Sequence, residues 1–432
     1  MSRKISVEEL TRVEGHGGIE IVLNGKKVES VKFQIFEGPR FFEHLIKGLH
    51  YEKIPDITRR ICGICTASHS LASIGAIENA FGVRVTPQTS LLRDLLIHGE
   101  SIESHALHVF MLALPDFLGY PDAIRMASEY MDAVKMALDL KKAGNMIHTT
   151  LSGREVHGMN ERVGGFSRVP SEGQLKQVMS ELLNVMPVTE LAVKLIAGVE
   201  LPKYAESENL LMAIDPGPRF GYIGDHILTS KGERYPESEY TALTNEKIVD
   251  HSYAKFSSYD GTPFMVGALP RIILSGKKLE GEALGLFKQH KDLVKAGNSL
   301  SNNLCQALEL VHDVHRAIYD IDELLSMGPK QESLAEYEVF EARGVNAIEA
   351  PRGLLYHDYS FDKEGKVIKA NIITPTAQSA ANIEKDARVI AENLTEENDA
   401  TIKKAIEVMA RAYDPCISCS VHMTRVTHMK KR

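Results

Sequence analysis

The stretch LLRDLLIHGESIESHALHVFMLAL, residues 91–114, decides the architecture. It is helix-prone and apolar on most of its faces, and such a helix is stable only when other helices surround it. Outward from it, helical character runs from about residue 66 to residue 199, with segments near 121–143, 171–184 and 187–199. It returns near 280–327 and again near 377–413. The remaining segments read as hairpins and short strands. ISVEEL is short and alternating, and IEIVLNGKKVESVKFQIF (19–36) divides into two strands at Asn24-Gly25, a favoured turn dipeptide. Residues 207–275 mix strand-like runs with the turns DPGPRFG and SSYDGTP, and residues 353–375 read as a hairpin across Asp362–Gly365. The expected fold is mainly α with peripheral β-hairpins, an α+β body around a buried helical bundle. No repeat or linker divides it, so a single domain over residues 1–422 is expected.

The chain has 432 residues, of which 44% are hydrophobic and 25% charged, the balance of a globular protein. Its formal net charge of −8 implies no basic face and argues against nucleic acid as a partner. The longest charge-free stretch, Ile61–Ile77, contains Thr66, His69 and three serines, which argues against direct membrane insertion. The N-terminus, MSRKISVEEL, has no apolar signal core, so a cytoplasmic location is expected.

There are five cysteines: Cys62, Cys65, Cys305, Cys416 and Cys419. An odd number in a long chain argues against a disulfide framework. Four of them form two C-x-x-C pairs, RICGICTASH (60–69) and DPCISCSVH (414–422). Each pair is read at the start of a helix, with Asp414 as N-cap and Pro415 as first helical residue of the second. Helix N-termini favour the thiolate, the form that binds metal. Three readings compete. A four-cysteine structural zinc site is the commonest use of such pairs. A redox C-x-x-C needs a thioredoxin-like context that the sequence lacks. Against zinc, the pairs lie 354 residues apart, a chain this large does not need a metal to fold, and each pair is followed by a histidine, His69 and His422.

With these residues quoted, the chain resembles the large, catalytic subunit of nickel–iron hydrogenases. R-x-C-G-x-C-x-x-x-H and D-P-C-x-x-C-x-x-H are that family's two signatures. Arg12-Val13-Glu14-Gly15-His16 is similar to its N-terminal segment, and Glu349-Ala350-Pro351-Arg352-Gly353 to its A-P-R-G segment. The phrases EGPRFFE, IESHALH and GTPFMVGALPR are most similar to the cytosolic, NAD(P)-linked sulfhydrogenase type.

The resemblance implies nickel held by Cys62, Cys65, Cys416 and Cys419. Cys65 and Cys419 would bridge to an iron carrying carbon monoxide and cyanide, and soft thiolates suit such a centre. It implies reversible heterolytic cleavage of H2, the proton passing first to a terminal thiolate, Cys416, and then to Glu14. Arg352, Pro351 and Thr376 would line the diatomic ligands, with Thr376 a second cyanide donor, and His69 would donate toward a bridging sulfur. Magnesium or iron would be held by Glu43, the Ile372 carbonyl and His422. Read without the resemblance, Glu14 is an ion-pair partner of Arg12, Arg352 a surface arginine in a turn, His69 a structural histidine and Glu43 a solvated helix charge. In related uptake enzymes an aspartate occupies the position of Ser104, so no role of that aspartate carries over.

Only Cys305 is left over, and one cysteine cannot hold a cluster that needs four thiolates. The sequence also has no G-x-G-x-x-G and no Walker A pattern. The resemblance therefore implies partner subunits: a small iron–sulfur subunit, and electron-transfer subunits carrying FAD and NAD(P), with NADP or NAD as acceptor and sulfur or polysulfide reduction as an added activity. It also implies a maturation protease and nickel-insertion proteins, and residues 423–432 (MTRVTHMKKR) resemble the extension that such a protease removes. The alternatives are a large subunit feeding deazaflavin or a heterodisulfide reductase, or a zinc-stabilised structural subunit.

Overall fold

The bundle is built from α1 (Thr66–Phe81), α2 (Pro87–Ala106), α3 (Met131–Ser152), α4 (Glu172–Ala197) and α5 (Asn302–Met327). The coordinates are a computed structural model that describes residues 2–421, so His422 and the 423–432 tail lie outside the described residues. Helix α2 starts where the sequence says it must. Thr86 accepts a hydrogen bond from the Thr89 amide and Pro87 occupies the first turn, where its missing N–H costs nothing. Beyond Ala106 the chain stays helical but widens into a π-helix over Leu107–Ala113 before returning to α over Leu114–Leu118. The 91–114 stretch is thus helical throughout, in two geometries.

The two segments read at 171–184 and 187–199 are one helix, α4, with Pro187 inside it. A capping box of Ser171 and Gln174 starts it. Pro187 removes one helical hydrogen bond. The helix continues because Leu182, Val185, Thr189, Ala192 and Val193, on both sides of the proline, are buried, and α4 packs against α3 and α5.

Strands β1 (Ser2–Val7), β2 (Gly17–Asn24) and β3 (Lys27–Ile35) form an antiparallel sheet in that order. Asn24 pairs with Lys27 across the expected tight turn. A second antiparallel sheet is β4 (Ala342–Ala350), β5 (Gly353–Phe361) and β6 (Val367–Ile373). The β5–β6 hairpin matches the reading of 353–375. Strand β4 was not read, because ARGVNAIEA is poor in branched and aromatic residues; pairing with β5 along its whole length makes it a strand. Residues 207–275 contribute a four-stranded sheet that includes a parallel pair, Leu210–Ile214 with Phe264–Met265. The chain closes with α6 (Pro375–Asn393), α7 (Asp399–Ala412) and the short α8 (Ile417–Ser420).

One large apolar cluster joins the bundle to the N-terminal sheet, and Cys62, Cys65, Cys416 and Cys419 are part of it. The β4–β5 turn, Pro351-Arg352, reaches the same region because Ala350 pairs directly with Gly353. Gly353 has φ +127°, and a Cβ there would lie 2.5 Å from a Val266 methyl and 2.7 Å from the Gly267 nitrogen. Only glycine lets the hairpin tip approach so closely.

Candidate metal centre

The two C-x-x-C pairs meet. Cys62 Sγ lies 3.4 Å from Cys416 Sγ, and Cys65 Sγ lies 3.6 Å from Cys419 Sγ. All four sulfurs are buried and within 4.8 Å of one another. Thiolates about 2.3 Å from one metal at the tetrahedral angle stand about 3.7 Å apart, close to both of these separations, so the donor set suits a shared metal. Cys65 is the N-cap residue of α1 and Cys416 that of α8. Both pairs thus sit where helix N–H groups favour negative sulfur. The amides of Ile64 and Cys65 each point at Cys62 Sγ, 3.3 Å away.

Asp414 and Pro415 do not have the capping roles read for them. Asp414 adopts φ +51° and turns its carboxylate away from α8. It receives Arg352 instead: Nη2 donates to Oδ1 at 3.1 Å, and Nε donates to the Asp414 carbonyl at 2.9 Å. Burial alone would raise the Asp414 carboxyl, but Arg352, His108, His105 and a hydrogen bond from Gln306 hold it below its ordinary value. Arg352 is therefore no surface residue. It is 5% exposed, its Nη1 is buried with no hydrogen-bond partner among the described residues, and its charge acts on Cys416, Cys62 and Cys65. A buried, unused guanidinium N–H beside four sulfurs suits an anionic ligand on a metal held there. Thr376, at the start of α6, accepts a hydrogen bond from the Cys416 amide at 2.8 Å, which leaves its own hydroxyl proton free to donate. Ser104 is also buried in α2, and its Oγ has no partner.

Glu14 is brought to the second pair rather than to Arg12. Its carbonyl accepts from the Ile417 amide at 2.9 Å, and its carboxylate accepts from the Ser418 amide at 3.1 Å and from the Ser418 hydroxyl. Arg12 pairs with Asp116, which also binds Arg411. Gly15 has φ +84°, and a Cβ on it would lie 2.8 Å from Ile417 Cβ and from the Ser418 nitrogen, so the N-terminal segment is fitted against the second pair.

His69 is fully buried. Its Nδ1 is 3.1 Å from His357 Nε2, whereas its Nε2 has no partner among the described residues. Burial lowers its pKa to about 4, so the ring is neutral. Glu43 is not a solvated charge either. It is 0% exposed, one oxygen accepts from the Ile372 amide at 2.8 Å, and the other has no partner among the described residues. Burial raises its pKa. The structure thus joins Glu43 to Ile372, the third expected ligand, His422, lying outside the described residues.

Sequence reasoning missed Arg40. Its guanidinium donates to the Ile61 carbonyl at 2.6 Å and to the Ser418 carbonyl, tying the two cysteine segments together. It lies in a loop with no periodicity, and nothing in its neighbourhood announces that partner.

The surroundings push the four sulfurs in different directions. Hydrogen bonds from Cys416 and its neighbours lower Cys62, while burial raises Cys416, and raises Cys419 to about 11. Four thiolates crowded this closely need a cation to be ionised together.

Comparison with known proteins agrees with this geometry. The family model described as nickel-dependent hydrogenase matches residues 40–135 and 225–422, and a HoxL-like model matches residues 4–37. Sulfhydrogenase 1 subunit alpha of Pyrococcus furiosus is 40% identical over 98% of both chains. The NAD-reducing hydrogenase HoxS subunit beta of Cupriavidus necator is 28% identical over 98% of this chain and 95% of that one. A solved structure of an NAD+-reducing [NiFe]-hydrogenase in the H2-reduced state shares the fold, with a TM-score of 0.87 at 24% identity over 97% of this chain and 99% of that chain. The chain belongs to the nickel-dependent hydrogenase family. Within it, the chain is a large subunit, the one that carries catalysis.

Proposed function

We propose that this subunit interconverts H2 with protons and electrons at a nickel–iron centre that Cys62, Cys65, Cys416 and Cys419 would hold, Cys65 and Cys419 being the cysteines that would serve both metals and Cys62 and Cys416 those that would serve nickel alone. The observation that carries the reading is the convergence of four buried sulfurs beneath an unpartnered Arg352 N–H. When bound, the nickel–iron pair with its carbon monoxide and cyanide ligands supplies the redox-active open position at which H2 is polarised.

The chain's own residues do the rest. Arg352 Nη1 and the Thr376 hydroxyl donate to the diatomic ligands and, with Pro351, exclude water. Asp414 fixes the guanidinium. Cys416 takes the proton first, and Glu14, joined to its segment by the Ile417 and Ser418 amides, takes it next. His69 Nε2, which has no partner among the described residues, would donate toward one of the shared cysteine sulfurs. Glu43, the Ile372 carbonyl and His422 would hold magnesium or ferrous iron, and the Glu43 oxygen that has no partner among the described residues supports that role.

Electrons leave through partners. The fifth cysteine, Cys305, is buried alone in α5 and cannot hold a cluster. The names of the relatives, sulfhydrogenase and NAD-reducing hydrogenase, support a complex with small iron–sulfur and flavin subunits that reduces NAD(P), with polysulfide as a second acceptor. No helix among the described residues is long and apolar enough to cross a membrane, and we place the complex in the cytoplasm. We infer one domain over residues 1–422, with residues 423–432 a cleavable extension. Hydrogen-driven reduction of NAD, NADP and deazaflavin by the purified complex tests the reading. Reduction of a nicotinamide supports it. Turnover with deazaflavin alone, or no hydrogen uptake by nickel-loaded protein, contradicts it.

A further inference from the structure

Helix α1, which starts at the first cysteine pair, packs against strand β5. His69 and Ser73 lie about one turn apart on α1, and His357 and Tyr359 lie two residues apart on β5, so each pair shares a face. The two faces interlock. His69 Nδ1 meets His357 Nε2 at 3.1 Å, His357 Nδ1 meets the Tyr359 hydroxyl at 2.5 Å, and that hydroxyl lies 3.3 Å from Ser73 Oγ. All four side chains are fully buried. The far end runs into apolar packing: Tyr359 meets Phe361 edge to face, in the cluster that holds Phe81 and Tyr51. A chain that ends among apolar rings is badly placed to pass protons to water and well placed to fix where protons sit.

Each link needs one donor and one acceptor, so the direction of one bond sets the others. Tyr359 sets it. Its single proton can go to His357 Nδ1 or to the hydroxyl of Ser73 or Thr58. An imidazole lone pair is a better acceptor than a hydroxyl oxygen, so the phenol donates to Nδ1. Burial raises the Tyr359 phenol, which keeps its proton. Thr58 has committed its own proton to the Ile54 carbonyl, and Ser73 is left to donate to the phenol oxygen. With Nδ1 accepting, His357 carries its ring proton on Nε2 and donates it to His69 Nδ1. His69 then carries its own proton on Nε2, the nitrogen that has no partner among the described residues.

We propose that His357 and Tyr359 are positioning residues of the metal centre: they hold His69 in the tautomer whose Nε2 proton is offered to a cysteine sulfur. The inference rests on the donation from His69 to a shared sulfur proposed above. Histidines beside metals are commonly fixed by a carboxylate or a carbonyl; here a second histidine, itself fixed by a phenol, takes that place. Because hydrogen bonds in a chain polarise one another, the phenol also strengthens the donation at the far end.

The test is infrared spectroscopy of the assembled, metal-loaded enzyme carrying Tyr359→Phe or His357→Leu. Weaker donation to a sulfur that serves iron leaves that sulfur a stronger electron donor, and the iron passes more density to its carbonyl. The expected result is a carbonyl band moved to lower wavenumber in both variants, further in His357→Leu, with nickel and iron content unchanged. Wild-type band positions in both variants would overturn the inference alone. A wild-type enzyme without carbonyl or cyanide bands would overturn the proposed function and this inference with it. Should a variant take up no metal, neutron diffraction from the perdeuterated wild-type enzyme decides. Deuterium on Nε2 of both His357 and His69 supports the arrangement, and deuterium on His69 Nδ1 overturns it.

Discussion

The sulfurs of Cys62 and Cys416 stand 3.4 Å apart although 354 residues of chain separate them. Cys62 precedes the bundle and Cys416 follows the last long helix, so the pair forms only when both ends of the fold are in place. Arg40 and Glu14 close that join from outside, through the carbonyls and amides of the two cysteine segments. A metal binds the thiolate form of cysteine, so loading this site is expected to release protons.

Thr376 links the start of α6 to the Cys416 amide. Thr376→Val leaves that buried N–H without an acceptor, which costs about 1–3 kcal/mol. It also shifts the infrared bands of the metal ligands, whereas Thr376→Ser restores both. Thermal unfolding alongside infrared spectroscopy of the two variants checks this.

Glu14→Gln keeps the size of the side chain and its hydrogen bond from the Ser418 amide but cannot carry a proton. Hydrogen oxidation is expected to fall by about 10²–10⁴, the usual worth of a positioned proton carrier, with nickel and iron content unchanged. Activity and metal analysis on the same preparation separate loss of proton transfer from loss of the centre.

Beside the first cysteine pair, Arg59 is ion-paired with Glu161 at 2.7 Å with both side chains buried, and Ser70 and Ser152 donate to the same carboxylate. Glu161→Gln removes the buried partner of this guanidinium and leaves it only Asp56, 3.3 Å away, and the Pro55 carbonyl, so it is expected to destabilise the protein by up to about 3 kcal/mol. The midpoint of denaturant unfolding reads this directly.

Glu237 accepts from the Ala347 amide and from Asn79, and burial raises its carboxyl from 4.5 to about 7. Between those values the native protein keeps a proton that the unfolded chain has lost. Its contribution to stability is therefore full below pH 4.5 and is lost as pH rises through 7, with a slope of at most about 1.4 kcal/mol per pH unit. Thermal midpoints across that range should fall in the wild type relative to Glu237→Gln.

The bundle was legible because Leu91–Leu114 carries its burial in its composition, and the donor set because cysteine has few uses in such spacing. The π-helix at Leu107–Ala113 was not legible. It follows from packing: its His108 side chain reaches both Gln306 and the Arg411 carbonyl. Pro187 signals a break that tertiary packing overrides. Asp414 looked like a cap because aspartate before Pro415 at a helix start usually is one. Its left-handed backbone, which aspartate tolerates, was set instead by the Arg352 it binds. Interactions that join distant segments, such as Arg40 with Ser418, leave no local trace in a single sequence.

The central claim is that the four converged sulfurs hold nickel and an iron bearing diatomic ligands. Infrared spectroscopy of the metal-loaded subunit tests it most directly, since metal-bound carbon monoxide and cyanide absorb where protein does not. One carbonyl band and two cyanide bands, in protein containing nickel and iron together, are the predicted result. A spectrum with no such bands from protein whose only metal is zinc would contradict the claim.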